Sequence, residues 1–116
     1  MTELPTNDSR PPITVIIPVY NGATVIEDCL AALVRQTVKR DRYEIIVVDD
    51  GSIDLTLTHA RKYEDVRTVT QPHGGPAAAR NHGVTLAKGE LVVFTDADCV
   101  PDRCFLEKIC KPLFED

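Results

Sequence analysis

The sequence lacks the signatures that usually announce a nucleotide, a metal or a membrane. Its first apolar run closes in Pro18-Val19-Tyr20-Asn21-Gly22 instead of a Gly-x-Gly-x-x-Gly, and no Gly-Lys-Ser/Thr P-loop occurs anywhere. A phosphate here would have to be held by something other than a glycine cradle. The four cysteines, Cys29, Cys99, Cys104 and Cys110, form no Cys-x-x-Cys pair and have no histidine at zinc-finger spacing. That argues against structural zinc and for a reduced, cytoplasmic setting. No apolar run approaches the ~18 residues needed to cross a bilayer. With a net charge of −5 and basic residues scattered from Arg10 to Lys111, there is no cationic stripe to neutralise a phosphate backbone, which excludes nucleic acid as a bulk partner. Residues 1–12 are polar and proline-containing, resemble neither a signal nor a transit peptide, and read as a flexible tail.

What is present is an alternation of strand and helix. A chain of 116 residues, 43% apolar and 27% charged, is sized for one soluble domain, here residues 13–116. Ile13 to Ile17 reads as a first strand. Val25, Ile26, Cys29, Leu30, Leu33 and Val34 recur at helical spacing, which predicts an amphipathic helix from Ala23 to about Thr37. Tyr43 to Val48 is the second strand, followed by a helix capped by Ser52 or Asp54 and running to about Tyr63. Val66 to Thr70 is a short third strand, and Gln71 to Pro76 must be a loop. A helix from Ala77 to about Lys88 stops at Gly89, and Leu91 to Thr95 is the fourth strand. Pro101-Asp102 opens a last helix with Phe105, Leu106 and Ile109 toward the core and Pro112 disturbing its continuation. The expected fold is α/β, a doubly wound, mostly parallel sheet with helices on both faces.

Two acidic clusters carry the chemistry. Glu44-Ile45-Ile46-Val47-Val48 leads into Asp49-Asp50-Gly51-Ser52, and Leu91-Val92-Val93-Phe94-Thr95 leads into Asp96-Ala97-Asp98. Ligands of open α/β sheets sit outside the carboxyl ends of the strands. Carboxylates gathered there repel one another unless something positive joins them, and a divalent cation carrying a phosphate meets that need. Two carboxylates two residues apart can share one hard cation; Asp49-Asp50 could equally be a turn with a helix cap. Arg80, early in the helix after the glycine loop, is the candidate donor to that pair. His73 and His82 read as loop or surface histidines, His59 as structural or exposed, and Tyr20 as either a platform for a ligand base or a cover for the sheet edge.

Taken in order, Pro18-Val19-Tyr20-Asn21-Gly22, Val47-Val48-Asp49-Asp50-Gly51-Ser52, Gly74-Gly75-Pro76-Ala77-Ala78-Ala79-Arg80-Asn81-His82-Gly83, Ala87-Lys88-Gly89-Glu90 and Thr95-Asp96-Ala97-Asp98 resemble the signature of the family 2 glycosyltransferases from Ile13 to about Leu113. The resemblance implies the A-type glycosyltransferase fold, a nucleotide-diphosphate-sugar donor with UDP as the first expectation, Mn²⁺ or Mg²⁺, and inversion at the anomeric carbon. By the same resemblance Pro18, Val19, Tyr20 and Asn21 cradle the nucleoside. Asp50, or Asp49 beside it, accepts from the base, while Gly75 and Arg80 approach base and phosphates. Asp96 and Ala97 face the ribose, and Asp98 with Asp96 holds the metal. Ile53 departs from the small hydroxyl residue more usual there.

The resemblance also implies an acceptor half, with a carboxylate general base, beyond the metal motif. No Asp or Glu in this chain matches that base. The chain is therefore expected to be the donor-binding half of a polysaccharide-building enzyme, inactive alone, whose acceptor is a glycan or a lipid-linked sugar. The full protein would be cytoplasmic or at the cytoplasmic face of a membrane. The isolated chain is expected to pair as a homodimer through its uncovered edge and its C-terminal apolar residues. Two rival readings are a non-catalytic nucleotide-sugar-binding module of the same fold and a phospho-acceptor receiver domain.

Overall fold

The structure, a computed structural model, describes residues 11–114. Strand β1 (Ile13–Val19) lies inside the sheet: Ile13, Val15, Ile17 and Val19 are buried and apolar on one face, and Ile16 and the buried Thr14 lie on the other. It pairs in parallel along its whole length with β2 (Tyr43–Asp49), from Ile13↔Tyr43 to Val19↔Asp49, and over its first half with β4 (Leu91–Phe94), from Ile13↔Leu91 to Ile16↔Phe94. The last strand, β3 (Arg67–Thr70), lies outside β2, giving the order β3-β2-β1-β4. An order reversing at β1 belongs to the doubly wound mononucleotide-binding half. A receiver domain would place β1 between β2 and β3, so that rival falls.

The strand alternation divides the core. Ile13, Val15, Ile17 and Val19 meet helix α1 (Ile26–Leu33) through Ile26, Cys29, Leu30 and Leu33, with Ala60 of α2 (Thr56–Ala60) and Leu106 and Cys110 of α4 (Phe105–Phe114) on the same side. Ile16, Ile46 and Val48 meet Ala79 of α3 (Pro76–Leu86) on the other face. Crossovers of one hand carry α1 and α2 to one side and, once the chain reverses direction across β1, α3 to the other.

Several boundaries differ from the sequence reading for local reasons. β1 runs on through Pro18, tolerated because alternate residues point to alternate neighbours. Val19 O accepts from Asp50 N–H on the β2 side and Ile16 O from Thr95 N–H on the β4 side, so the proline nitrogen faces the side where β4 has already ended. α1 is shorter than its apolar stripe, since Val25 and Ile26 both donate to Gly22 O in a turn before the helix proper. α4 begins at Phe105 and not at Pro101, which shifts its buried stripe. Leu106 and Cys110 face the core, Phe105 is half-buried, and Ile109, expected inside, is 46% exposed. Gln36 fixes this phase by accepting from Leu106 N–H and donating to Asp102 O. Helix α4 continues past Pro112 to Phe114. The side chains of Leu113 and Phe114 lie outside the described residues, as do residues 1–10 of the expected tail; Pro12 is buried and accepts from Leu91 N–H.

Helix α3 lies almost directly on β1. A Cβ on Gly83 would come 2.5 Å from Ile16 Cγ2, so glycine is required by proximity and not by dihedral angles. Gly83→Ala should therefore destabilise the fold by about 1–3 kcal/mol through overpacking, against the ~1 kcal/mol that alanine otherwise gains in a helix interior. In an Ile16→Ala background the same change should cost little or stabilise. Urea unfolding of the four proteins of this cycle checks it, and equal costs in both backgrounds would refute the contact.

Candidate functional site

The carboxyl ends of the parallel strands β1, β2 and β4 lie at one end of the sheet, the end where open α/β sheets hold ligands in a crevice. Three segments converge there: Tyr20 to Gly22 after β1, Asp49 to Asp54 after β2, and Asp96 to Asp98 after β4. The loop from Gln71 to Gly75, between β3 and α3, completes it.

The turn after β1 does not present free amides to a ligand. Asn21 N–H donates to Ser52 Oγ (2.8 Å), Gly22 N–H to Thr56 Oγ1 (2.8 Å) and Ala23 N–H to Asp54 Oδ2 (3.2 Å). Asn21 returns a bond, its Oδ1 accepting from Ile53 N–H at 2.9 Å, and holds a left-handed φ of 51° to do so. Ser52 and Asp54, expected as caps for α2, thus fasten the β1 turn. Asp54 also accepts from Thr56 N–H, just before α2 begins at Thr56. Donors that a glycine cradle would offer to phosphate are here spent on side chains from the next loop.

Asp49 and Asp50 are 3% and 2% exposed, and their carboxylates diverge onto different donors. Asp49 accepts from Ser52 N–H (3.2 Å) and Thr70 Oγ1–H (3.3 Å), closing the turn. Asp50 Oδ1 accepts from Gln71 Nε2 (2.8 Å) and Gly74 N–H (2.9 Å); Oδ2 accepts from Gly75 N–H (2.9 Å) and pairs with His73 Nδ1 (2.9 Å). Burial pushes the Asp50 pKa up, but the Gly74, Gln71 and Gly75 donors and the neighbouring His73 together hold it below the usual carboxylate range. Gly51 lets the loop approach: at φ 78° it has no Cβ, which would otherwise lie 2.8 Å from His73 N. Gly75 adopts φ 98° as the residue before α3.

Arg80 does not serve these carboxylates. It is half-buried and makes no hydrogen bond or ion pair among the described residues, and the loop supplies the donors instead. His73, expected as an ordinary loop histidine, lies at the centre of the site, its ring stacked on Tyr20 with centroids 4.1 Å apart and planes 30° from parallel. His82 also joins, through Nδ1 on Gln71 Oε1 at 2.9 Å. The missed signal was a count of donors: a buried aspartate beside Gln-x-His-Gly-Gly needs partners, and those residues are the near ones.

Asp96 and Asp98 form the contrasting pair. Both are exposed, and with Cys99 they bring one ligand atom each within 4.8 Å of one another. Among the described residues Asp98 Oδ1 meets the Cys99 thiol at 3.9 Å. The turn is held from behind, with Cys99 N–H donating to Asp96 O and the buried Cys29 thiol to the same oxygen at 3.7 Å. Burial first, then the neighbouring Cys99, Asp98 and Asp96, pushes the Cys29 pKa up to about 12, so it stays a neutral thiol. The donor set, two hard carboxylates open to water, fits a divalent cation such as Mn²⁺ or Mg²⁺. Val19 and Ala97 turn their side chains into the core, so only their backbones can meet a ligand, while Pro18 is half-buried and Tyr20 47% exposed.

Known proteins are similar to this chain in sequence and fold. A poly(ribitol-phosphate) beta-glucosyltransferase of Bacillus spizizenii is 45% identical over 92 residues, which is 74% of this chain and 14% of that protein. The mannosyltransferase PcManGT from Pyrobaculum calidifontis, solved with GDP-Man and Mn²⁺, superimposes with a TM-score of 0.80 at 37% identity, over 91% of this chain and 33% of its own. TarS residues 1–349 of S. aureus, solved with UDP-GlcNAc, superimposes with a TM-score of 0.80 at 32% identity, over 85% of this chain and 30% of its own. The chain thus spans a third or less of each of these proteins. No helix among the described residues is long and apolar enough to cross a membrane. The sequence matches the family described as Glycosyl transferase family 2 over residues 14–116, and the chain belongs to that family.

Proposed function

We propose that this chain binds the nucleotide-diphosphate-sugar donor, most simply a UDP-sugar, and its divalent metal for an inverting glycosyltransferase. The observation that carries the reading is the division among the acidic residues at the strand ends. Asp49 and Asp50 are buried and satisfied by protein donors, whereas Asp96 and Asp98 are exposed beside the crevice, and among the described residues no ion pair to either is seen. Carboxylates held together without a counter-charge suit a diphosphate-bound metal.

In this proposal Asp98, with Asp96, holds Mn²⁺ or Mg²⁺, which when bound supplies the positive charge that stabilises a departing diphosphate. Tyr20 offers its exposed face to the base, with Pro18, Val19 and Asn21 shaping the turn beneath. Asp50 sets the base-side loop, Gly75 marks its end, Arg80 approaches the phosphates, and Asp96 and Ala97 lie toward the ribose. The acceptor, a glycan or lipid-linked sugar, and the general base that activates it belong to other residues of a longer enzyme. This chain alone would then turn over little or nothing, in keeping with the share of its relatives that it spans. A cytoplasmic setting, free or at the membrane face, is part of the same proposal.

Asp98→Ala should remove the Mn²⁺-dependent part of UDP binding, at least tenfold in affinity, with the melting temperature unchanged. Calorimetric titration with and without Mn²⁺ decides it, and equal affinities for the two proteins would refute the metal assignment.

Asp50→Asn should unlatch the loop, lower stability by about 1–3 kcal/mol at neutral pH and weaken UDP more than inorganic pyrophosphate. The folded pKa of Asp50 lies below its ordinary 3.8, so its ionised form is favoured by folding. Its contribution is full above that ordinary value and is lost as pH falls through the lowered one. The stability gap between wild type and Asp50→Asn should therefore close in acid, and a constant gap down to the acid transition would exclude this role.

Pairing of two copies belongs to the proposal as well. β4 is an edge strand, and Phe94 on it is 45% exposed. Light scattering across a dilution series should show a dimer giving way to monomer, and a monomer at every concentration would exclude pairing.

A further inference from the structure

We propose that Asn21–Gly22 is a site of spontaneous covalent modification, a deamidation that the closed turn after β1 suppresses and that opening of the turn releases. Of the asparagines in the sequence only Asn21 precedes a glycine; Asn7 precedes Asp8 and Asn81 precedes His82. An asparagine carboxamide is open to attack by the backbone nitrogen of the next residue, and the attack is least hindered where that residue has no Cβ. Here Gly22 N would bond to Asn21 Cγ while the Cγ–Nδ2 bond breaks. The Gly22 proton passes through hydroxide to the departing nitrogen, which leaves as ammonia. One water then opens the resulting cyclic imide at either carbonyl, giving aspartate or its β-linked isomer. Water is the only co-reactant.

The fold requires both residues as they are. Asn21 holds a φ of 51°, which asparagine tolerates, and its Oδ1 accepts from Ile53 N–H at 2.9 Å. Gly22 is buried, and a Cβ there would lie 2.5 Å from Val19 Cγ2. The vulnerable pair is thus imposed by packing, and its protection comes from the neighbouring loop. Gly22 N–H, the source of the nucleophile, donates to Thr56 Oγ1 at 2.8 Å, and Thr56 is itself wholly buried. The Thr56 hydroxyl donates in turn to Asp54 Oδ1, which leaves its lone pairs for Gly22. Reaction needs Gly22 N to leave Thr56 and the Asn21 carboxamide to leave Ile53, and the closed turn holds both. The β-linked product would carry the main chain through Cβ and Cγ of residue 21. One added backbone atom would put the turn out of step with Ser52, Thr56 and Asp54, which now bind three successive amides.

The test incubates the 116-residue chain at mildly alkaline pH and follows residues 21 and 81 by peptide mass spectrometry, since exchange of the amide NH₂ for OH changes the mass. Three samples are compared: native wild type, wild type in urea, and native Thr56→Val, which keeps the shape of threonine without its hydroxyl. In urea Asn21 should react faster than Asn81, and at least about tenfold faster than in the native protein, where reaction must wait for local opening. Folded Thr56→Val should react about tenfold faster than native wild type, the shift in opening that one lost buried hydrogen bond produces. Asn21 reacting no faster than Asn81 in urea overturns the site, and equal native and urea rates overturn its suppression by the turn. A Thr56→Val protein that melts cooperatively and reacts at the wild-type rate overturns the role of Thr56. If Thr56→Val does not fold, hydrogen exchange at the Gly22 amide of wild type decides that role instead. Strong protection is expected there, and exchange at the rate of an open amide overturns it.

Discussion

The carboxylate of Asp50 is the interaction on which this crevice depends. An aspartate taken from water is costly unless its lone pairs are met, and here four donors from one loop meet them. The dependence is mutual: the loop has no apolar side chain to bury and owes its shape to that charge, while the charge can stay buried only because the loop is closed. β2 ends, α3 begins and the aromatic pair stacks within a few residues of one another because this one group gathers them.

The second constraint is that β1 and β2 end side by side. Their paired register brings Val19 opposite Asp49 and places the turn from Asn21 to Ala23 within reach of Ser52, Asp54 and Thr56. The amide donors of that turn are consumed in fixing it. Any phosphate held there would need its charge met elsewhere, and among the described residues Asp96 and Asp98, after β4, are exposed carboxylates grouped closely enough to share a cation.

Much of this was legible in the residues and some was not. The apolar runs from Ile13 and Tyr43 could only be central strands, and the α1 stripe could only lie on them, because periodicity and length agree. The family resemblance named the converging segments, which the fold brings to one end of the sheet. The errors fell where long-range contacts decide local structure. Ser52 and Asp54 have the chemistry of helix caps, yet Ser52 bonds Asn21 and Asp54 divides its oxygens between Thr56 and Ala23, so both reach about thirty residues back along the chain. Arg80 looked like the counter-charge for Asp50 because charge is easy to read, whereas backbone N–H groups and a glutamine leave no mark in composition. The phase of α4 was misread because Gln36, on a distant element, sets its first turn.

The contact between Gly83 and Ile16 has a mechanical consequence. With no side chain between them, helix and strand have no clearance in which to slide, so the first turn of α3 is fixed relative to the middle of β1 from about two turns away. The segment from Gln71 to Gly75 is then a strap anchored at both ends to unyielding supports. Opening it to admit a ligand cannot be shared out as a small drift of the helix. It must be taken up as rotation about the bonds of Gly74 and Gly75, two residues whose missing side chains make such rotation inexpensive. A molecule built this way concentrates its freedom in one short arc and keeps the rest of its frame as a fixed reference.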